Sequence, residues 1–280
     1  MHKAKKEISQ AVKKIDVLIE VLDARLPASS ENPVVRKIRQ GLDKPCIKIL
    51  NKSDLADPAV TELWLAHFNA QEGVTALALS ADRKAEVNGI PDLCRKFVTV
   101  SAARTLKAMV VGIPNVGKST LINTLAGRKV AKVGDKPAVT RQQQRIALKN
   151  RVDLFDTPGI LWPKQDDADA AFRLAATGAI GDKAMDHQEV AWFAAGHLLK
   201  HYGAMLKERY NIDELTDDPL FLLEEIGRRR GCLRRGGVVD LHKASEIFLN
   251  ELKGGKIGRI SMEVPSEEAV PEESAREEEV

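Results

Sequence analysis

The chain has 280 residues, 44% of them hydrophobic and 30% charged, a composition typical of a folded globular protein with room for two domains. Aromatic residues make up only 4%, which argues against a base-stacking platform for single-stranded nucleic acid. No apolar run approaches the roughly 20 residues of a membrane span, and the polar start MHKAKKEISQ lacks the apolar core of a secretion signal. We therefore expect a cytoplasmic protein without a membrane partner.

The formal net charge of +3 conceals two oppositely charged parts. Residues 263–280 hold eight glutamates and one arginine, so this segment carries −7 and the preceding 262 residues carry +10. The segment has almost nothing apolar to bury, and we predict an acidic disordered tail. The basic body suits a polyanionic partner, but its charge alone leaves RNA and a solvated surface as alternatives.

Apolar runs typical of strands alternate with helical stretches over residues 1–165. The predicted strands are Val17–Leu22, Cys46–Leu50, Ala76–Leu79, Ala108–Val111, Arg145–Leu148 and Val152–Phe155. Several runs are continuously apolar, which indicates strands covered on both faces in a mostly parallel, doubly wound α/β sheet. Only three residues separate the last two runs, and this spacing predicts an antiparallel hairpin at one edge of the sheet.

Beyond about Asp166 the periodicity becomes helical. The predicted helices are Asp169–Ala176, His187–Tyr202, Asp218–Arg229 and Asp240–Lys253. We expect three parts: an α/β domain over residues 1–165, an all-helical domain over 166–262, and the tail over 263–280.

A glycine-rich loop, GIPNVGKST, follows the fourth strand and precedes a predicted helix. This context is that of a P-loop, whose glycines let backbone N–H groups surround phosphates. Lys118 supplies a cation to the β- and γ-phosphates, and the Ser119 hydroxyl is expected to bind Mg²⁺. The predicted nucleotide contacts of the loop are Asn115, Val116, Gly117, Lys118, Ser119 and Thr120.

A second motif, DTPG, ends the sixth strand at residues 156–159. Asp156 is the expected carboxylate on the Mg²⁺ side, and Gly159 is expected to offer its N–H to the γ-phosphate. Thr140 lies between the two motifs, where a switch threonine can reach Mg²⁺. We therefore predict Lys118, Thr140 and Gly159 as the catalytic groups.

The motif NKSD at residues 51–54 follows the second strand and predicts guanine as the base. The Asp54 carboxylate can accept from guanine N1–H and the 2-amino group, which adenine does not offer. Asn51 would buttress the loop or reach guanine N7, and the Lys52 stem would cover the base. Without the P-loop, Asn51 and Asp54 could equally be helix caps. Ser80 and Ala81, after the third strand, fit a further loop whose backbone N–H contacts guanine O6.

The order of these motifs is permuted relative to the usual GTPase arrangement, in which the P-loop comes first. Here NKSD and Ser80–Ala81 precede the P-loop, Thr140 and DTPG. The same site forms if the original termini are joined and the chain is opened elsewhere. The permutation places the segment after DTPG next to the helical domain, and we hypothesise that nucleotide-dependent switch movement passes to that domain.

The permuted motifs, together with DTPGILWPK, LAATGAIGDKAMD, GGKIGRI and LDARLPASSENP, resemble the bacterial ribosome biogenesis GTPase A family (the YlqF group). The resemblance extends to about residue 262. It implies an α/β GTPase domain with a helical RNA-contacting domain, GTP or GDP with Mg²⁺ as ligands, and hydrolysis stimulated by the ribosomal particle. The implied partners are the large ribosomal subunit precursor and its rRNA, not DNA.

The sequence departs from the family in two places. Members usually begin with a Trp-Phe-Pro-Gly-His-Met segment, which has no counterpart in this sequence starting at Met1. Their switch loop reads Pro-Gly-x-Thr, where this chain has Ala138 in place of the Gly. Ile160 stands where many small GTPases carry a water-positioning Gln, so unaided hydrolysis should be slow. Asn115 resembles the asparagine of potassium-dependent GTPases, which predicts K⁺ beside the phosphates; alternatively, it only shapes the loop.

For RNA contact the helical domain offers basic clusters suited to phosphates. They are Arg228, Arg229, Arg230, Arg234, Arg235, Lys253, Lys256 and Arg259. The histidines show no ligand constellation, since His197 and His201 stand four apart without a third ligand. Two other functions stay open: a GTP-dependent RNA-binding switch with negligible hydrolysis, and a GTPase acting on tRNA or another RNA, although no RNA-modification domain is visible.

Overall fold

The computed structural model describes residues 9–98, 101, 103–131, 144–156, 168–181 and 185–266. Within these residues, six strands form one sheet in the order β3-β2-β1-β4-β6-β5. They are β1 (Val17–Asp23), β2 (Cys46–Asn51), β3 (Val74–Leu79), β4 (Leu106–Val111), β5 (Gln144–Ala147) and β6 (Val152–Asp156). All neighbours pair in parallel except β5 and β6, which form the antiparallel edge hairpin that the sequence predicts.

Helices cover both faces of the sheet. In the α/β region they are α1 (Pro27–Ser30), α2 (Pro33–Gly41), α3 (Pro58–Asn69), α4 (Lys84–Val87), α5 (Ile90–Phe97) and α6 (Lys118–Ala126). Alternate residues of β1 enter different clusters: Val17 and Ile19 pack in one core, and Leu18 and Leu22 in the other. This two-sided burial explains why the strands read as continuous apolar runs, and it confirms the predicted doubly wound sheet.

Four further helices lie in the described part of the C-terminal region. They are α7 (Ala168–Ala176), α8 (His187–Tyr210), α9 (Pro219–Arg229) and α10 (Leu241–Lys253). They bury a separate core that includes Leu198, Leu222 and Phe248. Among the described residues, no helix is both long and apolar enough to cross a bilayer.

After α10 the chain returns to the α/β region. The Ile260 N–H donates to Leu55 O at 2.9 Å, and the Met262 N–H donates to Arg25 O at 2.7 Å. The Glu263 carboxylate then accepts from the backbone N–H of Ser29 at 3.0 Å and from its hydroxyl at 2.5 Å. Glu263, the first residue of the predicted tail, is therefore packed against α1.

One lysine lies inside the α/β core. Lys48 on β2 is 1% exposed, and its Nζ lies 2.8 Å from Glu20 Oε2 and 2.6 Å from Glu31 Oε1. Burial alone would lower the pKa of this ammonium, but Glu20 and Glu31 raise it above its usual value. The buried charge is therefore held by two carboxylates.

We expect Lys48→Met to lower the free energy of unfolding by about 3–5 kcal/mol, because it leaves Glu20 buried without its cation. Urea denaturation measures the change. Arg36→Ala is the control: it removes an exposed partner of the same Glu31 and should cost less than about 1 kcal/mol. Equal losses of unfolding free energy in Lys48→Met and Arg36→Ala would contradict the role of Lys48 as the buried cation that pairs Glu20.

Candidate nucleotide-binding site

The predicted nucleotide motifs lie together at the carboxyl ends of the parallel strands. Asn51 ends β2, Ser80 follows β3, the P-loop follows β4 and Asp156 ends β6. In an open α/β sheet this edge is where ligands bind, and the permuted chain order places the motifs there as the usual order would.

The P-loop packs closely against its neighbours at its two glycines. Gly112 has φ +151°, and a Cβ there would meet the carbonyl of Val21 on β1 at 2.5 Å. Gly117 has φ +99°, and its Cβ would collide with the side-chain amide of Asn51. Both positions therefore require glycine, for backbone conformation and for space.

Asn51 joins three loops of the site. It is 2% exposed, its Nδ2 donates to Val116 O of the P-loop at 2.6 Å, and its Oδ1 accepts from the Ala81 N–H at 2.8 Å. These two bonds fit the buttress role predicted for Asn51, and its contact with guanine N7 stays a prediction, since Nδ2 carries a second hydrogen.

The Ser80–Ala81 loop is held on several sides. The Ser80 hydroxyl donates to Asp54 Oδ1, and the Ser80 N–H donates to Glu86 Oε2 at 2.7 Å. Thr124 on α6 donates through its hydroxyl to Ala81 O at 2.7 Å. The N–H groups of Ser80 and Ala81 thus serve acceptors within the protein, and their contact with guanine O6 stays a prediction. Asp54 itself is exposed.

Lys118 begins α6 and points back into its own loop. It is 8% exposed, and its Nζ donates to Ile113 O at 2.6 Å. Burial lowers the pKa of this ammonium to about 8, while the Asp156 carboxylate acts in the opposite direction. Binding of phosphate oxygens beside it would stabilise its charged form.

The oxygen donors expected for Mg²⁺ stand on adjacent elements. Ser119 lies half-buried in the first turn of α6, followed by Thr120, and Asp156 ends β6 in register with Val110 of β4. A hydroxyl and a carboxylate suit this hard cation. Of the other predicted groups, Thr140, Gly159 and Ile160 lie outside the described residues.

A buried charge cluster, not predicted from the sequence, lies beneath the guanine motif. Asp23 at the end of β1 is 0% exposed, and Arg25 donates to its two oxygens at 2.9 and 2.8 Å. Lys52 Nζ lies 2.9 Å from Asp23 Oδ2. Burial would raise the pKa of Asp23, but Arg25 and Lys52 hold it well below its usual value. Lys52 adopts φ +61°, and its side chain stays 24% exposed.

The helical region contacts this cluster directly. Arg25 Nη2 donates to Thr177 O at 3.0 Å, and its Nη1 donates to Lys253 O at 3.4 Å. The P-loop makes a parallel contact, in which Asn115 Nδ2 donates to Gly178 O at 3.2 Å. The segment after α7 therefore touches both the P-loop and the support of the guanine loop.

The segment after α10 binds the backbone of the guanine loop through Arg259. Arg259 donates through Nη2 to Ser53 O at 2.9 Å and through Nε to Ala56 O at 2.8 Å. The sequence predicts Arg259 as one of the residues for RNA contact. In the structure its guanidinium binds two main-chain carbonyls of the protein itself. The GGKIGRI motif, which contains Arg259, was the feature of the sequence that could have indicated this contact.

Most of the helical arginines are paired within the protein. Arg228 binds Glu224 and Glu225, each at 2.6 Å, and Arg234 binds Asp240 at 3.1 Å. Further pairs are Arg229–Glu225 and Arg230–Glu251. Leu233 and Val238 are exposed on the adjoining turn, at 50% and 64%. The basic surface therefore carries less net charge than its arginine count indicates.

Comparison with known proteins gives a consistent result. A family model described as "50S ribosome-binding GTPase" matches residues 107–198. The chain is 45% identical to ribosome biogenesis GTPase A of Bacillus cereus over 95% of its own length and 92% of that protein, and 32% identical to the Thermotoga maritima protein of the same name over 95% and 93%. A crystal structure of GNP-bound YlqF from T. maritima matches with a TM-score of 0.65 at 27% identity, covering 94% of this chain and 99% of that one.

We expect Asn51→Ala to weaken GDP and GTP binding by roughly ten- to a hundred-fold. The variant removes two buried hydrogen bonds, each worth about 1 kcal/mol, that align three binding loops. Fluorescent-nucleotide titration measures the affinity. The matched control is Asn69→Ala, since Asn69 makes a similar side-chain bond to the Ala76 N–H away from the site. Wild-type affinity in Asn51→Ala would contradict the buttress role.

Proposed function

The chain belongs to the ribosome biogenesis GTPase A family, and we propose that this GTPase assists assembly of the large ribosomal subunit in the cytoplasm. The observation that carries the nucleotide-binding part of the proposal is the Asn51 contact, which joins the NKSD loop, the Ser80–Ala81 loop and the P-loop into one site. The choice of the large subunit as the partner is supported by the description of the matching family model, which names 50S ribosome binding.

Guanine selection is assigned to the exposed carboxylate of Asp54. Its Oδ1 accepts from the Ser80 hydroxyl, which holds the carboxylate in place, and both oxygens have further lone pairs for the guanine N1–H and 2-amino group. Lys52 supports the same loop from below through its bond to Asp23, and its stem lies where it can cover the base.

Phosphate binding is assigned to the P-loop and the start of α6. Backbone N–H groups of residues 115–120 and the Lys118 ammonium bind the phosphate oxygens. Ser119 and Asp156, together with Thr140, are the residues that would hold Mg²⁺, which when bound neutralises charge on the β- and γ-phosphates. Gly159 is assigned to the γ-phosphate through its N–H.

Hydrolysis needs a group that orients the attacking water, and the apolar side chain of Ile160 cannot do so. We assign part of that role to K⁺ held by the side-chain oxygen of Asn115. The amide nitrogen of Asn115 is directed at Gly178 O, which leaves the oxygen as the atom for a cation. A cation there contributes charge beside the phosphates.

Binding of rRNA is assigned to the helical region, residues 166–262. Its exposed turn carries Arg234 and Arg235 between glycines, a form suited to phosphate contact. The alternative function, a GTP-dependent RNA-binding switch with negligible hydrolysis, follows from Ile160 and differs from the proposal in turnover alone.

Asp54→Asn tests the guanine assignment. We expect GDP affinity to fall by at least about a hundred-fold, because the amide cannot accept from both guanine donors. Affinity for xanthosine diphosphate should rise, since its C2 oxygen accepts from the amide N–H. The control is Asp57→Asn, which keeps the cap of α3 and should leave GDP affinity unchanged. Unaltered base preference in Asp54→Asn would contradict the assignment.

Exchange of monovalent cations tests the role of Asn115. We expect GTP turnover in KCl to exceed that in NaCl of equal ionic strength by roughly ten-fold, because a fixed charge at the phosphates stabilises the transition state. Asn115→Ala should remove the difference, whereas Asn88→Ala, at an exposed position, should keep it. Equal GTP turnover in KCl and in NaCl would contradict the assignment of K⁺ binding to Asn115.

Ribosomal particles test the proposed function as a whole. We expect the protein to co-sediment with large-subunit particles in the presence of a GTP analogue more than with GDP. Multiple-turnover hydrolysis should rise by at least about ten-fold on their addition, since the particle supplies a missing catalytic element. Small-subunit particles are the control. Association without stimulation would favour the RNA-binding switch, and no association with any particle would overturn the proposal.

A further inference from the structure

Two histidines and one glutamate from different helices meet on the surface of the helical region. They are His187, His242 and Glu246, and one ligand atom from each lies within 4.8 Å of the others. His187 Nδ1 stands 3.8 Å from Glu246 Oε1, and His242 Nε2 stands 3.5 Å from the same oxygen. The two imidazole rings are nearly parallel, with centroids 6.1 Å apart.

These separations approach those of a tetrahedral metal site. Ligand atoms about 2.0–2.1 Å from a zinc ion lie about 3.3 Å from one another at the tetrahedral angle. Both distances to Glu246 Oε1 are within about half an ångström of that value. Two imidazoles and one carboxylate are a donor set that Zn²⁺ accepts, with one position left open.

The ligands stand on two helices. His187 is the first residue of α8, where Asp186 caps the helix by accepting from the Gln188 N–H at 2.7 Å. His242 and Glu246 are four residues apart on α10 and therefore share one face of that helix. The two helices pack together through the helical core. Side-chain rotations that bring the ligand atoms from within 4.8 Å of one another to about 3.3 Å would close the site.

We propose that His187, His242 and Glu246 form a zinc site that cross-links the start of α8 to the first turns of α10. The side chains are partly exposed, at 25%, 54% and 45%, so the ion can enter from solvent. Since the main-chain carbonyl of Lys253 at the end of α10 accepts from Arg25, a bound ion would brace a helix that contacts the nucleotide site. The inference goes beyond the proposed function and does not depend on it.

The sequence alone shows no ligand constellation among the histidines, since the one pair at helical spacing, His197 and His201, has no third ligand. His197 and His201 are four apart on α8, but His197 Nε2 lies 2.9 Å from Ser261 O and is engaged with that carbonyl. The trio joins residues 55 positions apart, and only the packing of α8 against α10 brings them together. No spacing rule on one helix predicts it.

The test is a Zn²⁺ titration of the tag-free, nucleotide-free full chain against a competing fluorescent chelator. We expect one ion per chain, with the dissociation constant raised at least about ten-fold in His242→Ala and in Glu246→Gln, because each loses one of three ligands. His201→Ala is the matched control, an exposed histidine of α8 that should bind as wild type. Circular dichroism confirms that each variant is folded.

Cobalt provides a second readout. Co²⁺ bound by the wild type should show the visible absorption of a tetrahedral site, and His242→Ala should lose it. Absence of stoichiometric Zn²⁺ binding by the wild type would overturn the proposal. Equal affinity in wild type, His242→Ala and Glu246→Gln would overturn it too, as would loss of binding in His201→Ala alone. None of these readouts involves GTP, so the proposed function and the zinc site fail independently.

Discussion

The nucleotide site depends on one buried carboxylate, Asp23, at the end of the central strand β1. A charge so enclosed is stable only when it is paired and hydrogen-bonded. Arg25 and Lys52 both bind its Oδ2; Arg25 is also bound to the helical region, and Lys52 belongs to the guanine motif. The pairing that neutralises Asp23 therefore also fixes the guanine loop relative to the helices. Removing Arg25 or Lys52 would leave Asp23 with one cation, and the guanine loop could then shift relative to the helical region.

Around this charge, a few further bonds turn separate loops into one site. Asn51 links the guanine loop to the P-loop and to Ala81, and Arg259 holds the backbone of Ser53 from the segment after α10. Asn115 reaches from the P-loop to Gly178. The nucleotide-binding loops are thus bound to the helical region at the guanine end and at the phosphate end. In the permuted chain, the segment after β6 leads directly into α7, which ends beside these contacts.

The sequence predicted the sheet, its antiparallel edge and the position of each motif at a strand end, because apolar periodicity and short phosphate-binding motifs are local properties. Helix α8 shows the limit: the sequence predicted an end at Tyr202, whereas the helix continues to Tyr210. Tyr202 lies within this helix with a non-helical φ of −133°, which marks a kink. The roles of Asp23, Arg25 and Arg259 were not predicted, since each depends on contacts between residues distant in the chain. The trio of His187, His242 and Glu246 escaped for the same reason.

The central claim is that the nucleotide site and the helical region are mechanically joined through Arg25, Asn115 and Arg259. Hydrogen exchange of the backbone amides at residues 174–181 and 254–262, compared between GDP and a GTP analogue, tests it most directly. The account predicts that the amide protection of both segments differs between the two nucleotides. A shift of the nucleotide-binding loops would change the hydrogen bonds from Arg25 to Thr177 O and from Asn115 to Gly178 O. Equal protection of both segments with GDP and with the analogue would contradict it.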